Sequence, residues 1–276
     1  MKLLCFGFGY TARALVSRLG DDWEVVGTSR DGSSGFLRFD HDHPLPADAF
    51  RRVSHALVSI PPAAGGDPLL KAHAERIAAV KQLEWLGYLS TTGVYGTRDG
   101  GWVEETSVLR PTGPRGTARA AAEAAWLRLW RDQGVPVHIF RLAGIYGRGR
   151  SAFDALRSGA ARRIDAGSQV FSRIHVDDIA AVLVASMNKP RPGAIYNVCD
   201  DEPAAQEAVI AHAARLLGLE PPPLVPLAEA ALSPMARSFY ADNKRVSNAL
   251  IKRELGVALL YPSYREGLAA ILAAGG

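Results

Sequence analysis

The sequence predicts an α/β protein: a doubly wound parallel sheet with a smaller C-terminal lobe. Three observations lead there. Short apolar runs bounded by turn residues alternate with stretches whose apolar residues recur at three and four, and a glycine-rich turn separates the first run from the first such stretch. The chain is also long enough, at 276 residues with 48% hydrophobic and 22% charged, to bury one large core.

The elements follow in order. Strands are expected at 2–6, 24–28, 35–39, 55–60, 85–90 and 135–141, each short, mostly apolar and turn-bounded, as strands buried on both faces should be. Helices are expected at 11–19, 68–83 and 118–130, where Gly or Pro marks the ends. Past Tyr146 the alternation loosens. Residues 159–172 read as irregular, 176–187 as a helix, 194–198 as one more strand, and 203–217 as a helix ahead of Pro221-Pro222-Pro223. No internal repeat stands out.

Charge and composition narrow the function classes. The net charge of +4 comes from scattered arginines rather than a basic run, which argues against nucleic acid and favours small anionic ligands. No apolar stretch is long enough for a signal peptide or a membrane span, so a cytoplasmic protein without a membrane partner is expected. Cys5 and Cys199 each lie in an apolar run and read as small buried strand residues. His41 and His43 in a loop, and His175 beside Asp177 and Asp178, show no metal-ligand spacing, and no metal is expected. His175 and Asp178 read instead as fixing the start of the helix that follows.

The glycine turn carries the strongest chemistry. Gly7-Phe8-Gly9-Tyr10-Thr11-Ala12 fits G-x-G-x-x-G/A directly after a strand and at the opening of a helix, the context of a Rossmann dinucleotide site. Gly7 permits the tight turn, Gly9 admits a pyrophosphate close to the backbone, and Ala12 keeps helix against sheet, while the amides of Tyr10 and Thr11 face the anion. Residues 1–165 then form the dinucleotide-binding domain, and 166–276 hold the last sheet elements interleaved with a small substrate-binding lobe.

The end of the second strand bears on cofactor choice. Where an Asp or Glu would hold the ribose hydroxyls of NAD, about 20 residues past the glycines, the chain reads Thr28-Ser29-Arg30. Ser29 has no charge to repel a 2′-phosphate and Arg30 offers a guanidinium fork, so NADP is favoured over NAD. NAD remains open, because Arg30 also reads as a solvated loop residue and Asp31 as a carboxylate turned toward the ribose. Asp40 is expected to accept from the adenine amine, and Ser59 and Pro61 to wall the cofactor after the fourth strand.

Six segments then bring a family into view. The glycine motif, Leu89-Ser90-Thr91-Thr92-Gly93-Val94-Tyr95-Gly96, Arg141-Leu142-Ala143-Gly144-Ile145-Tyr146-Gly147, Arg173-Ile174-His175-Val176-Asp177-Asp178-Ile179-Ala180, Tyr196-Asn197-Val198 and Asn243-Lys244-Arg245-Val246-Ser247-Asn248 occur in that order. Together they resemble an extended short-chain dehydrogenase/reductase of the NAD(P)-dependent epimerase/dehydratase type. The resemblance implies a Rossmann domain holding NAD or NADP and a small lobe closing over substrates that are often nucleotide sugars. It also implies a Ser or Thr orienting the reacting oxygen, matched by Thr91.

The departures matter as much. The family's Tyr-x-x-x-Lys pair, a phenol that trades a proton and an amine that lowers its pKa and binds the nicotinamide ribose, maps onto Arg115 and Arg119. Arg119 can keep the charge and the ribose contact. Arg115 cannot replace the phenol, because a guanidinium hardly ever releases a proton near neutrality; it suits a substrate carboxylate or phosphate instead. Tyr240-Ala241-Asp242-Asn243-Lys244 also spells Tyr-x-x-x-Lys, but far from the helix that should carry it. Tyr95, close behind Thr91, is the better spare phenol. The expectation is therefore an oxidoreductase or epimerase-like enzyme on a small anionic or nucleotide-linked substrate, with Thr91, Tyr95, Arg115 and Arg119 in catalysis and Arg148 and Arg173 on the substrate. The alternative is a non-catalytic NADP-binding sensor or scaffold. A homodimer is left open.

Overall fold

The computed structural model describes residues 1–276 apart from His41 and Ala64, and all side chains but those of Pro234, Met235 and Ser238 in addition; the expectation for His41 lies outside the described residues. The first half runs β1 (Lys2–Phe6), α1 (Tyr10–Val16), β2 (Glu24–Ser29), β3 (Leu37–Arg38), β4 (His55–Val58), α2 (Pro68–Ala78), β5 (Trp85–Thr91), β6 (Trp102–Val103) and α3 (Pro114–Gln133). There follow β7 (Val137–Leu142), β8 (Gly144–Tyr146), α4 (Ala152–Arg157), β9 (Arg163–Asp165), β10 (Arg173–His175), α5 (Val176–Asn188) and β11 (Ile195–Val198). The chain closes with α6 (Gln206–Leu216), β12 (Leu224–Pro226), α7 (Pro234–Phe239), β13 (Arg245–Val246) and α8 (Tyr264–Ala273).

Seven strands form one parallel sheet in the order β11-β7-β5-β4-β1-β2-β3. The chain winds outward from β1 in both directions, so the crevice at the carboxyl ends of β1 and β4 is the topological switch point, where open α/β sheets bind ligands. One face buries Leu3, Cys5, Leu57, Trp85 and Phe140 under α1 and α5, and the other buries Leu4, Phe6, Val58, Tyr88 and Ile139 under α2 and α3. That alternation is the period-two side-chain geometry of a strand covered on both faces. A satellite cluster of Tyr146, Phe153, Val209, Ala213, Tyr264 and Leu268 holds α4, α6 and α8 together, beside the small sheet of β9 and β12.

Boundaries moved where local hydrogen bonding outweighed hydrophobic pattern. The expected strand 35–39 shrinks to β3 at Leu37–Arg38 because a 3-10 turn occupies Ser33–Gly35. The helix expected at 118–130 begins at Pro114, whose fixed φ suits a first helical position, which places Arg115 inside it. The stretch 159–172 contains β9, and α4 and α8 were not expected. Both helices open on capping boxes, Ser151 with Asp154 and Ser263 with Glu266. His175 caps α5 as expected, its Nδ1 accepting from the Asp177 amide at 3.2 Å. Asp178 does something else: its carboxylate, buried, accepts from the amides of Leu260 and Tyr261 at 2.7 and 3.0 Å and pins the C-terminal segment to that helix. Among the described residues no helix is long and apolar enough to cross a membrane.

Candidate active site at the carboxyl rim of the sheet

The glycine turn is gripped from both neighbouring strands. The Gly7 amide donates to Thr28 Oγ1 at 2.9 Å, the Phe8 amide to the Thr28 carbonyl at 3.0 Å, and Ser59 Oγ donates to the Gly7 carbonyl at 2.7 Å. Gly7 sits at φ +88°, and a Cβ there would lie 2.6 Å from Ser59 Oγ, so only glycine fits. Gly9 differs. Nothing lies within 4 Å of where its Cβ would be, the open cradle that a pyrophosphate approaching the backbone needs. Thr11 and Ala12 are buried against the sheet and Tyr10 is half-buried. Thr28 is the residue that sequence reasoning missed; its signal was a hydroxyl one place before the end of the second strand, beside a loop whose amide needs an acceptor.

At the end of β2, Ser29 Oγ donates to Asp31 Oδ1 at 2.9 Å and the Ser33 amide to the same oxygen at 3.1 Å. These hydrogen bonds, the Ser33 amide first, draw the Asp31 carboxyl down to about 2. Arg30 is exposed beside them. Asp40 departs from the adenine-binding expectation. Its carboxylate closes its own turn, accepting from Arg38 Nε at 2.8 Å, from the amides of Asp42 and His43 at 2.9 and 3.1 Å, and pairing with His43 Nδ1 at 2.7 Å. Those contacts, His43 foremost, hold its pKa well below the usual carboxylate range. Pro61 is exposed on the segment leaving β4.

Across the rim, β5 ends at Thr91, half-buried, with Oγ1 accepting from the Gly93 amide at 3.1 Å to cap the 3-10 turn Thr92–Tyr95. The first turns of α3 pack on that turn, where a Cβ at Gly116 would stand 3.0 Å from the Gly93 carbonyl. Arg119, one helical turn past Arg115, reaches back to β5, donating to the Leu89 carbonyl at 2.7 Å and to the Tyr88 hydroxyl at 3.2 Å. Arg115 is exposed at the head of the same helix. Thr91 and the α3 turns that carry Arg115 and Arg119 thus lie on one side of the rim.

Tyr95 does not join them. It is fully buried; its hydroxyl donates to Asn197 Oδ1 at 2.7 Å and accepts from Arg141 Nη1 at 2.8 Å, and burial raises its pKa further. Such a phenol reaches no substrate, which corrects the expectation of a spare acid-base residue. A buried network adjoins Thr91 through Ser90, which donates to Glu123: Glu123 of α3 and Arg141 of β7 form an ion pair at 2.8 Å with side chains 2% and 3% exposed. Glu105 completes it, its Oε1 accepting from the Asn197 amide at 2.8 Å. Tertiary packing alone brings these residues together.

Arg173 is corrected as well. It is buried, and its guanidinium donates to the carbonyls of Phe171 and Ala204 at 2.7 and 2.9 Å and to Gln206 Oε1 at 2.8 Å, which ties β10 to the start of α6. Near it Asp200, 1% exposed with Oδ2 unpaired among the described residues, has its carboxyl pushed up to about 8 by burial, against the pull of Arg173. An acid whose folded pKa is raised binds more protons folded than unfolded, so native stability should fall from about pH 4 to about pH 8 and level off above. Asp200→Asn, a neutral isostere, should flatten that slope and melt several degrees above the native protein at pH 8; equal thermal melts at every pH would contradict it. Arg148 is exposed on the turn after β8, and Tyr240 and Lys244 lie apart from the helix α3 slot, Tyr240 edge-on to Phe171 and Lys244 3.3 Å from Asp242.

A parallel sheet with this switch point and a glycine turn at its first strand define a Rossmann-type α/β fold. Residues 65–199 match the sequence pattern of the NAD dependent epimerase/dehydratase family. Over 95% of its length the chain is 28% identical to Protein YeeZ of Escherichia coli (strain K12), covering 96% of that protein. It is 52% identical to a functionally unknown conserved protein from Silicibacter pomeroyi DSS, with a TM-score of 0.92 over 99% of this chain and 98% of that one. The fold, at 18% identity, is also that of UDP-glucuronic acid 4-epimerase from Bacillus cereus in complex with NAD, with a TM-score of 0.77 over 98% and 97% of the two chains.

Proposed function

We propose that the protein is a nicotinamide dinucleotide-dependent oxidoreductase or epimerase-like enzyme that acts on a small anionic or nucleotide-linked substrate. The observation that carries this reading is the grouping of Thr91, Arg115 and Arg119 on the rim of the sheet that also bears the open cradle at Gly9. The dinucleotide would lie with its pyrophosphate at Gly9 and Tyr10 and its adenosine ribose at Ser29 and Arg30. Bound there, it supplies hydride transfer at the nicotinamide. Thr91 orients the reacting oxygen, Arg119 holds charge beside the nicotinamide ribose, and Arg115 binds an anionic group of the substrate without exchanging a proton. The decisive experiment is cofactor absorbance and fluorescence with candidate sugars and carbonyl acids: turnover lost in Thr91→Ala supports the reading, and turnover indifferent to it refutes the placement.

A second reading, a dinucleotide-binding sensor or scaffold without catalysis, has one observation in its favour. The nearby phenol of Tyr95 is sealed between Asn197 and Arg141, and the usual phenol position holds Arg115. Dinucleotide binding with no hydride transfer to any substrate class would decide for it.

For the cofactor itself we favour NADP. Support comes from exposed Arg30 and from Asp31, whose carboxylate is occupied by Ser29 and Ser33; the epimerase of similar fold carries NAD. Arg30→Ala should weaken NADP by about 1.5 to 3 kcal/mol, the range of a hydrogen bond to a charged group, and leave NAD nearly unchanged. Calorimetry with both cofactors reads the ratio, and equal losses would rule Arg30 out as the phosphate contact.

A further inference from the structure

The turn after β8 is latched onto the glycine loop. Tyr10, which follows Gly9, donates its hydroxyl to the Arg148 carbonyl at 2.9 Å across 138 residues of sequence. The turn is closed on itself by paired backbone hydrogen bonds between Gly147 and Arg150, at 3.0 and 3.3 Å, with Gly149 at its tip at φ +73°. A Cβ at Gly147 would collide with the Tyr10 hydroxyl, so glycine is what lets turn and loop meet. The result is a rigid tip carrying two exposed guanidinium groups, Arg148 and Arg150, beside the cofactor loop.

Neither arginine forms an ion pair among the described residues. The acids whose charges reach the Tyr10 phenol have other contacts: Asp154 accepts from the Ser151 amide and hydroxyl at 2.7 and 2.6 Å, and Asp177 lies 3.6 Å from His175. Two like charges two residues apart repel each other, and a dianionic diphosphate is the partner whose geometry two guanidinium forks match. Open space at Gly9 lies on the same loop that holds the tip.

We infer that Arg148 and Arg150 clamp the pyrophosphate of the bound dinucleotide from the side opposite the glycine loop, and that the Tyr10 hydroxyl positions them. This rests on the dinucleotide reading above and moves Arg148 from the substrate to the cofactor. Arg148→Ala with Arg150→Ala leaves both turn glycines in place and should fold, as circular dichroism will show. In calorimetry the double variant should lose about tenfold or more in affinity for both NADPH and ADP-ribose, which share the pyrophosphate, with adenosine unaffected. The native protein's loss on raising salt should shrink in the variant. Tyr10→Phe should weaken ADP-ribose in the native background and have little further effect in the double variant, a non-additivity that a merely structural hydroxyl would not produce. Failure of the native protein to bind any dinucleotide overturns the cofactor reading and this inference together. Native binding that the double variant retains in full overturns this inference alone. So does loss of inorganic phosphate binding by cofactor-saturated protein with ADP-ribose affinity intact, which would return the arginines to the substrate.

Discussion

Glu123→Ala is expected to destabilise the protein by about 3 to 5 kcal/mol, the cost of leaving a buried charge without its partner. Arg141 would lose all three of its contacts to that carboxylate, at 2.8, 3.2 and 3.2 Å, inside a side-chain environment 3% exposed. Ser90 would lose its acceptor at the same time. Because Ser90 precedes Thr91 and Glu123 lies one turn beyond Arg119, the damage should reach the rim, and cofactor binding should weaken along with stability. Urea unfolding measures the first effect and calorimetry the second. Replacing both charges, Glu123→Leu with Arg141→Met, should recover much of the stability, since a paired apolar replacement leaves no orphan charge. A single Glu123→Ala variant as stable as the native chain would mean that the ion pair is not what holds α3 to β7.

Gly9→Val is expected to abolish dinucleotide binding while the fold survives. The position has an ordinary φ of −90° and no atom within 4 Å of a Cβ, so valine meets no clash in the protein itself. What it fills is the space through which a pyrophosphate approaches the backbone. Losing two or more charge-assisted hydrogen bonds to phosphate corresponds to an affinity drop of about a hundredfold or more. Gly7 is the poorer probe: its φ of +88° and the Ser59 hydroxyl 2.6 Å from a Cβ mean that a side chain there would damage the turn. Calorimetry with NADP and NAD beside far-ultraviolet circular dichroism separates binding from folding. Unchanged affinity in a folded Gly9→Val protein would end the dinucleotide reading.

The sequence by itself determined the sheet and the glycine turn at its first strand. Both are written in local terms: buried strands as apolar runs, helices as three-and-four periodicity, and the glycine turn as residues that must lack a Cβ within a few positions of one another. The positions of Thr91 at a strand end and of Arg115 and Arg119 one helical turn apart were legible for the same reason. Only the tertiary structure decided which polar side chains are free. Tyr95, Asp40 and Arg173 each look available along the chain, yet Asn197 lies 102 residues from Tyr95, and Ala204 and Gln206 lie 31 and 33 residues from Arg173. Asp40 is the local exception, taken by Arg38, Asp42 and His43 within three residues of it. A polar group buried in the fold must find a partner wherever packing brings one, and sequence spacing does not encode that choice. The Glu123 and Arg141 pair and the Tyr10 latch arise in the same way, from strands and helices that meet only once the sheet is wound.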